Sequence, residues 1–384
     1  MLWARPSQGF RGGLVMDFVS GSEVMARGAI RAGCRAFFGY PITPSSEIMA
    51  LMAEELPKVN GVFMQMEDEI AASAAAIGAS WAGAKSMTAT SGPGFSLMQE
   101  NIGMATMLEI PLVIVDVQRV GPSTGIPTMG AQQDLMQSIW GRHGDQLTVV
   151  FSPSSFDELF TMTVRAFNLA EELRIPLILL TDGHMVTLRS LADLRHPVDV
   201  TNRKHLTKDE ASLPFRPNGS LVPGFPRMGE ELNVLFDTLV HNERGYPTAN
   251  SKKARRLLKR LREKVEASID RVWDCEQSGP QDSDTLVVSY GSSAISARYA
   301  VNLALAEGDS VSLLVMKSLW PLNERELSRV FEGRKRVIIV EQALGQLAWL
   351  VRPYVEKGSK LIESTSIGRP PDPFRLLKLI RGGA

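Results

Sequence analysis

The chain has 384 residues, of which 44% are hydrophobic and 22% charged, with a formal net charge of zero, and this length suits two or three globular domains. Zero net charge argues against a nucleic-acid binder, which needs surplus Lys and Arg to displace counterions, and no apolar run reaches the roughly 18–20 residues that span a bilayer. The two cysteines, Cys34 and Cys275, support neither a disulfide framework nor a cluster held by four thiolates.

Residues 1–16 read as an N-terminal extension, rich in Arg and Gly and without the sustained apolar stretch of a secretory leader, so a cytoplasmic protein is expected. From 17 to 198, short apolar runs alternate with periodic stretches. Strands are predicted at 35–40 (RAFFGY), 61–66 (GVFMQM), 85–90 (KSMTAT), 111–118 (PLVIVDVQ) and 175–181 (IPLILLT), and helices at 22–32, 45–56, 69–82 and 156–173. Strand–helix alternation with uninterrupted apolar strands predicts a parallel sheet covered on both faces. From 199 to 283 the pattern breaks down into an irregular connecting segment containing one charged helix, NSKKARRLLKRLREKVEA at 250–267. Its basic run fits a docking surface for an acidic partner or, as is commoner, a solvated face. Alternation resumes from 284 to 384, with strands at 285–290, 310–316 and 336–340 and a helix running to 306, a second α/β domain.

Four segments carry candidate chemistry, each at a predicted strand-to-helix junction, where open α/β sheets bind ligands. The first, Tyr40-Pro41-Ile42-Thr43-Pro44-Ser45, follows a buried strand, and Thr43 reads as a helix N-cap. In the second, Glu67, Asp68 and Glu69 open a helix made mostly of Ala, Ser and Gly. Acids in a first turn favour the helix dipole, and a partly desolvated one gains a raised pKa. In the third, Ser91-Gly92-Pro93-Gly94 permits close backbone approach to a ligand. In the fourth, Arg119 ends the most apolar strand and suits bidentate carboxylate binding. A polar cluster of Gln133, Asp134, Arg142 and His143 follows. No set of residues reads as a metal site.

Together the motifs are far more specific than any alone. YPITPSSE, then EIAA with a glycine nine residues after its glutamate, then TSGPG resemble the pyrimidine-binding domain of thiamine-diphosphate enzymes. The YPITPSS and QRVGPSTGIPT blocks narrow the resemblance to the 2-oxoacid:ferredoxin oxidoreductases. SIWGRHGD, SPSSFDELF and RAFNLAEELRIPLILLTD resemble alpha subunits of the 2-oxoglutarate and branched-chain types. VVSYGSSA, KSLWPL and VIIVEQALGQ resemble their transketolase-like C-terminal domain. The resemblance covers roughly residues 17–380.

It implies an α/β fold with a pyrimidine-binding-type thiamine-diphosphate domain followed by a transketolase C-terminal-like domain. The implied activity is decarboxylation of a 2-oxoacid to an acyl-CoA, with ferredoxin as electron acceptor and 2-oxoglutarate as the first choice of substrate. Glu69 matches the thiamine-activating glutamate, with Glu67 second. Thr43 and Arg119 match the residues that hold the substrate carboxylate, and Arg142 and His143 are the nearest candidates for a second carboxylate. Tyr40, Pro41, Ile42, Thr43, Glu69, Ser91 and Gly92 are expected to contact the cofactor. The Gly-Asp-Gly…Asn motif that holds diphosphate through magnesium is missing from this sequence, as is a Cys-rich ferredoxin segment. A beta subunit is therefore expected to carry that motif and an iron–sulfur cluster, with separate gamma and delta subunits as further partners. Gly183-His184-Met185 follow Asp182 directly, a shorter loop than relatives carry, which leaves His184 without an assigned role.

Overall fold

The structure is a computed structural model that describes residues 16–383 apart from 146, 227 and 229–232; the extension, but for Met16, lies outside the described residues. Seven strands form the main sheet, in the order Ser318–Trp320, Val149–Phe151, Pro176–Asp182, Leu112–Val120, Lys85–Thr90, Cys34–Gly39, Val62–Gln65. An eighth strand, Ile126–Gly130, returns antiparallel against the end of Leu112–Val120. The six strands from the first domain run parallel. Leu112–Val120 and Pro176–Asp182 are buried at every position, as expected of central strands covered on both faces.

The helix Phe156–Leu173 covers one face together with Gly21–Arg31. Each begins on a serine, Ser155 and Ser20, whose hydroxyl accepts the amide of the third helical residue. The helix Glu69–Trp81 packs on the other face, where Ala72 and Ala76 let it lie close to the sheet. The second sheet has the order Cys275–Ser278, Ser312–Met316, Thr285–Ser289, Arg336–Glu341, Lys360–Thr365, parallel except for its first strand. The two domains are knitted together. Ser318–Trp320 leaves the C-terminal part of the chain to pair antiparallel with Val149–Phe151 in the first sheet.

The connecting segment is tied down by buried charge rather than by regular structure. Glu109 is fully buried and receives Arg260 at 2.6 Å and Lys264 at 2.8 Å from the helix Ser251–Glu266. Arg174 donates to the carbonyls of Glu109, Pro223 and Gly224. Arg203 pairs with buried Glu171 and lies over the Phe225 ring, 4.6 Å from its centre. The basic helix has the solvated face expected of it, with Lys252, Lys253, Arg255, Arg256, Lys259 and Arg262 exposed, and an inward face that was not expected. Part of its charge is neither solvated nor offered to a partner, because Arg260 and Lys264 point inward to neutralise Glu109. Its outer face carries Lys259–Glu263 and Arg262–Glu266 pairs. Among the described residues no helix is long and apolar enough to cross a membrane.

Candidate active site

The C-terminal ends of the strands gather residues from all four candidate segments. A cleft of about 380 Å³ opens there, lined by Gly92, Ser96, Arg119, Gln133, Asp134 and Gln346 among others. The three acids that open the alanine-rich helix divide their work. Glu67 is exposed at the turn. Asp68 is the N-cap, its carboxylate accepting the Ala71 amide at 2.7 Å. Glu69 is 5% exposed and turns inward over the TSGPG turn. A Cβ placed on Gly94 would lie 2.3 Å from Glu69 Oε1 and 2.2 Å from Thr90 Oγ1, so glycine there is what leaves room for the carboxyl. Burial raises the Glu69 pKa above the usual carboxylate value; Asp68 adds to the rise, while its own backbone amide and Arg119 oppose it. A carboxyl so placed holds a proton more readily than an exposed glutamate.

Arg119 is 5% exposed. Nη1 donates to the Thr43 carbonyl at 2.7 Å and Nη2 to the Thr124 carbonyl at 2.9 Å, while Nε has no partner among the described residues. Two of the five N–H donors of the guanidinium are thus used to fix its plane, and the others are left for a ligand. Thr43 does not cap the following helix. That helix is Ser46–Glu55, with Ser45 at the cap position and no side-chain capping bond; the Thr43 main chain is instead what anchors Arg119. Tyr40, Pro41 and Thr43 are exposed along the loop and Ile42 is half-buried. Ser91 is buried, its hydroxyl without a partner among the described residues, and Gly92 faces Asp134.

Arg142 and His143 are not brought to this cleft. Arg142 is buried and folds back onto its own helix, donating to the Ser138 and Ile139 carbonyls and to Thr148 Oγ1. Burial lowers its pKa to about 10. His143 is exposed, with Glu100 at 3.6 Å. The expectation that they meet a second carboxylate rested on closeness in sequence; the helix Leu135–Trp140 carries the chain past the cleft before Arg142 is reached.

Two features escaped the sequence reading. Gln132 is a hub between the domains: its side chain reaches the Tyr290 carbonyl at 2.9 Å, Ser293 Oγ at 2.7 Å and the Gln342 amide at 2.9 Å, and its carbonyl accepts the Tyr290 hydroxyl at 3.1 Å. Asp116 is fully buried in the central strand. The signal for Asp116 was present, an acid inside an otherwise apolar run; nothing local marked Gln132.

These residues fit the aminopyrimidine half of thiamine diphosphate: a buried carboxyl able to exchange a proton, over a turn whose glycine keeps the floor open. No diphosphate-holding motif is found in this chain, so the fit extends to half of the cofactor. The comparisons with known proteins agree. Residues 27–260 match the family described as pyruvate flavodoxin/ferredoxin oxidoreductase, thiamine diP-binding, and residues 283–366 match core domain II of pyruvate:ferredoxin oxidoreductase. The fold is thus a pyrimidine-binding-type thiamine-diphosphate domain followed by a transketolase C-terminal-like domain. The chain belongs to the 2-oxoacid:ferredoxin oxidoreductase family, as a subunit of the alpha type.

The chain is similar to 2-oxoglutarate synthase subunit KorA of Methanothermobacter marburgensis, 47% identical over 87% of this chain and 90% of that one. It is 34% identical to ketoisovalerate oxidoreductase subunit VorB of Methanothermobacter thermautotrophicus, over 87% of this chain and 88% of the other. Among solved structures, 2-oxoglutarate:ferredoxin oxidoreductase from Magnetococcus marinus, with 2-oxoglutarate, coenzyme A and succinyl-CoA bound, superposes with a TM-score of 0.90 at 33% identity. That match covers 96% of this chain and 65% of the solved one.

Proposed function

We propose that the chain is the alpha subunit of a 2-oxoglutarate:ferredoxin oxidoreductase. With its partners it converts 2-oxoglutarate, coenzyme A and two oxidised ferredoxins to succinyl-CoA, carbon dioxide, a proton and two reduced ferredoxins, or runs the reverse. The observation that carries this reading is the buried Glu69 carboxyl above Gly94, with Arg119 electrostatically coupled to it, in a chain close to a 2-oxoglutarate synthase subunit over nearly its whole length. Thiamine diphosphate, when bound, supplies the acidic thiazolium carbon that attacks the 2-oxo group.

This chain's own residues prepare that chemistry. Glu69, its carboxyl beside Gly94, would hold and exchange a proton with the aminopyrimidine of the bound cofactor. Arg119, its plane fixed by the Thr43 and Thr124 carbonyls, presents its remaining donors to the carboxylate beside the reacting carbonyl. Thr43 supports that end of the substrate. Glu67, exposed at the turn, is the weaker candidate for the proton role. A beta subunit supplies magnesium and the diphosphate motif, and carries the iron–sulfur cluster; gamma and delta chains complete the enzyme in the cytoplasm.

Among the described residues that line the cleft, Arg119 is the only cation. A second carboxylate, as in 2-oxoglutarate, is therefore met by a partner's residue or by neutral donors such as Ser96 and Gln137. A branched-chain 2-oxoacid, the alternative substrate, needs no such donor. The test of the split site is calorimetry with magnesium and thiamine diphosphate. The isolated chain should give little heat, and the chain copurified with the product of the adjacent gene should bind. Micromolar binding by the isolated chain would overturn the split-site reading.

A further inference from the structure

The motif EQALGQ at 341–346, in the C-terminal domain, contributes neither the proton-exchanging carboxyl nor the guanidinium of the cleft, yet it is built as a turn of fixed shape. Glu341 closes the strand Arg336–Glu341 and is fully buried. Its carboxylate accepts the Leu347 and Ala348 amides at 3.0 and 3.2 Å, and so holds the first turn of the helix Gln346–Val351. Gly345 is left-handed, with φ 94°, a conformation that glycine adopts without strain. Gln346 follows it and lines the same cleft as Arg119.

This turn is fastened to the segment 132–136 of the first domain. Gln346 Nε2 donates to the Gln133 carbonyl at 2.5 Å, and its Oε1 accepts the Met136 amide at 3.0 Å. The Gln132 amide donates to the Gln342 carbonyl at 2.8 Å, and the Gln342 amide to Gln132 Oε1 at 2.9 Å. The other side of the segment is fastened to the end of the central strand. Gln133 Oε1 accepts the Gly121 amide at 2.7 Å, and the Asp134 amide donates to Gln118 Oε1 at 3.0 Å. Gly121 opens the turn 121–125, whose return strand Ile126–Gly130 pairs back on Leu112–Val120. At Gly125, where φ is 57°, an added Cβ would stand 1.7 Å from the Val120 carbonyl oxygen. A turn this tight carries Thr124 along when Gly121 moves. The Thr124 carbonyl is one of the two acceptors that fix the Arg119 guanidinium.

We propose that Gln346, acting through Gln133, is a positioning residue for Arg119: the C-terminal domain sets the turn 121–125, and with it the plane in which the guanidinium meets the carboxylate of the 2-oxoacid. The path runs from the Gln346 side chain to the Gln133 main chain, from the Gln133 side chain to Gly121, and from Thr124 to Arg119. Neither glutamine needs to touch the substrate. A bidentate pair between arginine and carboxylate depends on the placement of a planar fork, so a loosened turn weakens binding of the 2-oxoacid and leaves the chemical step alone. The proposal rests on the reading that Arg119 receives the substrate carboxylate.

The experiment is steady-state kinetics on the complex of this chain with its beta subunit, with a viologen as acceptor and 2-oxoglutarate and coenzyme A varied in turn. The variants are Gln346→Met, Gln133→Met, Arg119→Lys and the double variant Gln346→Met/Arg119→Lys. Methionine keeps the length of glutamine and removes its hydrogen bonds. Lysine keeps the cation at 119 and removes the fork. The KM for 2-oxoglutarate should rise about 3- to 10-fold in each glutamine variant, the size of one lost hydrogen bond. Both kcat and the KM for coenzyme A should stay as in wild type, the pattern of a lost ground-state contact to one substrate. Arg119→Lys should raise the KM for 2-oxoglutarate further, and Gln346→Met should add nothing in that background, because the two residues act as one unit. An unchanged KM for 2-oxoglutarate in either glutamine variant overturns the proposal. A fall in kcat with KM unmoved overturns it as well, as does an equal rise in the KM for coenzyme A, since both are what a merely structural role would give. An effect of Gln346→Met that persists in full beside Arg119→Lys shows that Gln346 does not act through Arg119, and equally ends the proposal. If Arg119→Lys alone leaves the KM for 2-oxoglutarate unchanged, the carboxylate role of Arg119 fails first and the proposal falls with it.

Discussion

Gly94→Ala tests the position of the Glu69 carboxyl with a single methyl group. Gly94 sits in the helix Gly92–Leu97 with ordinary backbone angles, so alanine is acceptable to the main chain and brings about 0.5–1 kcal/mol of helix stability. Its Cβ would stand 2.3 Å from Glu69 Oε1. Non-bonded atoms rest at roughly 3.5 Å, so the carboxyl must retreat by about 1.2 Å, or the turn must shift by as much. Overpacking of this kind costs about 1–3 kcal/mol, which the complex survives. A displacement of about 1 Å at a reacting group costs about 100-fold in rate. The expected result is a fall in kcat of about two orders of magnitude, measured as 2-oxoglutarate-dependent reduction of a viologen, with the alpha–beta complex intact on gel filtration. Gly103→Ala, where an added Cβ meets nothing within 4 Å, is the matched control and should keep its rate. Unchanged kcat in Gly94→Ala would refute the placement of Glu69 over this turn.

Other outcomes follow from the same geometry. Glu109→Ala leaves Arg260 and Lys264 buried without their counter-ion and should cost about 3–5 kcal/mol in denaturant unfolding. Burial alone would raise the Glu109 pKa, but Lys264 and Arg260 outweigh it and hold the carboxyl well below the usual range. Its contribution to stability is therefore present above the ordinary glutamate value of about 4.5 and lost as pH falls below it, which acid unfolding of wild type and variant would reveal by converging at low pH. Arg142→Met should lower thermal stability and affect 2-oxoglutarate and 2-oxoisovalerate turnover equally, since Arg142 bonds to carbonyls of its own helix; a loss confined to the dicarboxylate would return it to the site. Gln132→Ala removes the side-chain bonds to Tyr290, Ser293 and Gln342. It should cost about 1–3 kcal/mol for the polar groups left unpaired, with hydrogen exchange quickening first at the domain junction.

Much of the first domain was legible because its signals are local. An apolar run bounded by Gly or Pro and buried on both faces reads directly as a strand, so Lys85–Thr90 and the helix Phe156–Leu173 fall where the pattern puts them. Ser318–Trp320 and the pair Asp17–Ser20 with Arg189–Ala192 were missed, since their partners lie far away in sequence and the strands are too short to show a period. The connecting segment looked merely irregular, because the partners of Glu109, Glu171 and Arg174 are separated from them by loops. At the site, the register to Gly78 singled out Glu69 and the end of a strand singled out Arg119, and the structure buries both side chains. Arg142 and His143 were misjudged because nearness in sequence is not nearness in space once a helix intervenes. Asp116 was visible as a charge inside an apolar strand.

The measurement closest to the central claim is turnover by the copurified alpha–beta complex, with coenzyme A, magnesium, thiamine diphosphate and ferredoxin, on 2-oxoglutarate, 2-oxoisovalerate and pyruvate. It should be made in parallel with the Glu69→Gln complex. The account predicts ferredoxin reduction fastest with 2-oxoglutarate, and none above background in the assembled Glu69→Gln complex, whose amide cannot exchange the proton. Preference for 2-oxoisovalerate would contradict the substrate, and an active Glu69→Gln beside an inactive Glu67→Gln would contradict the site.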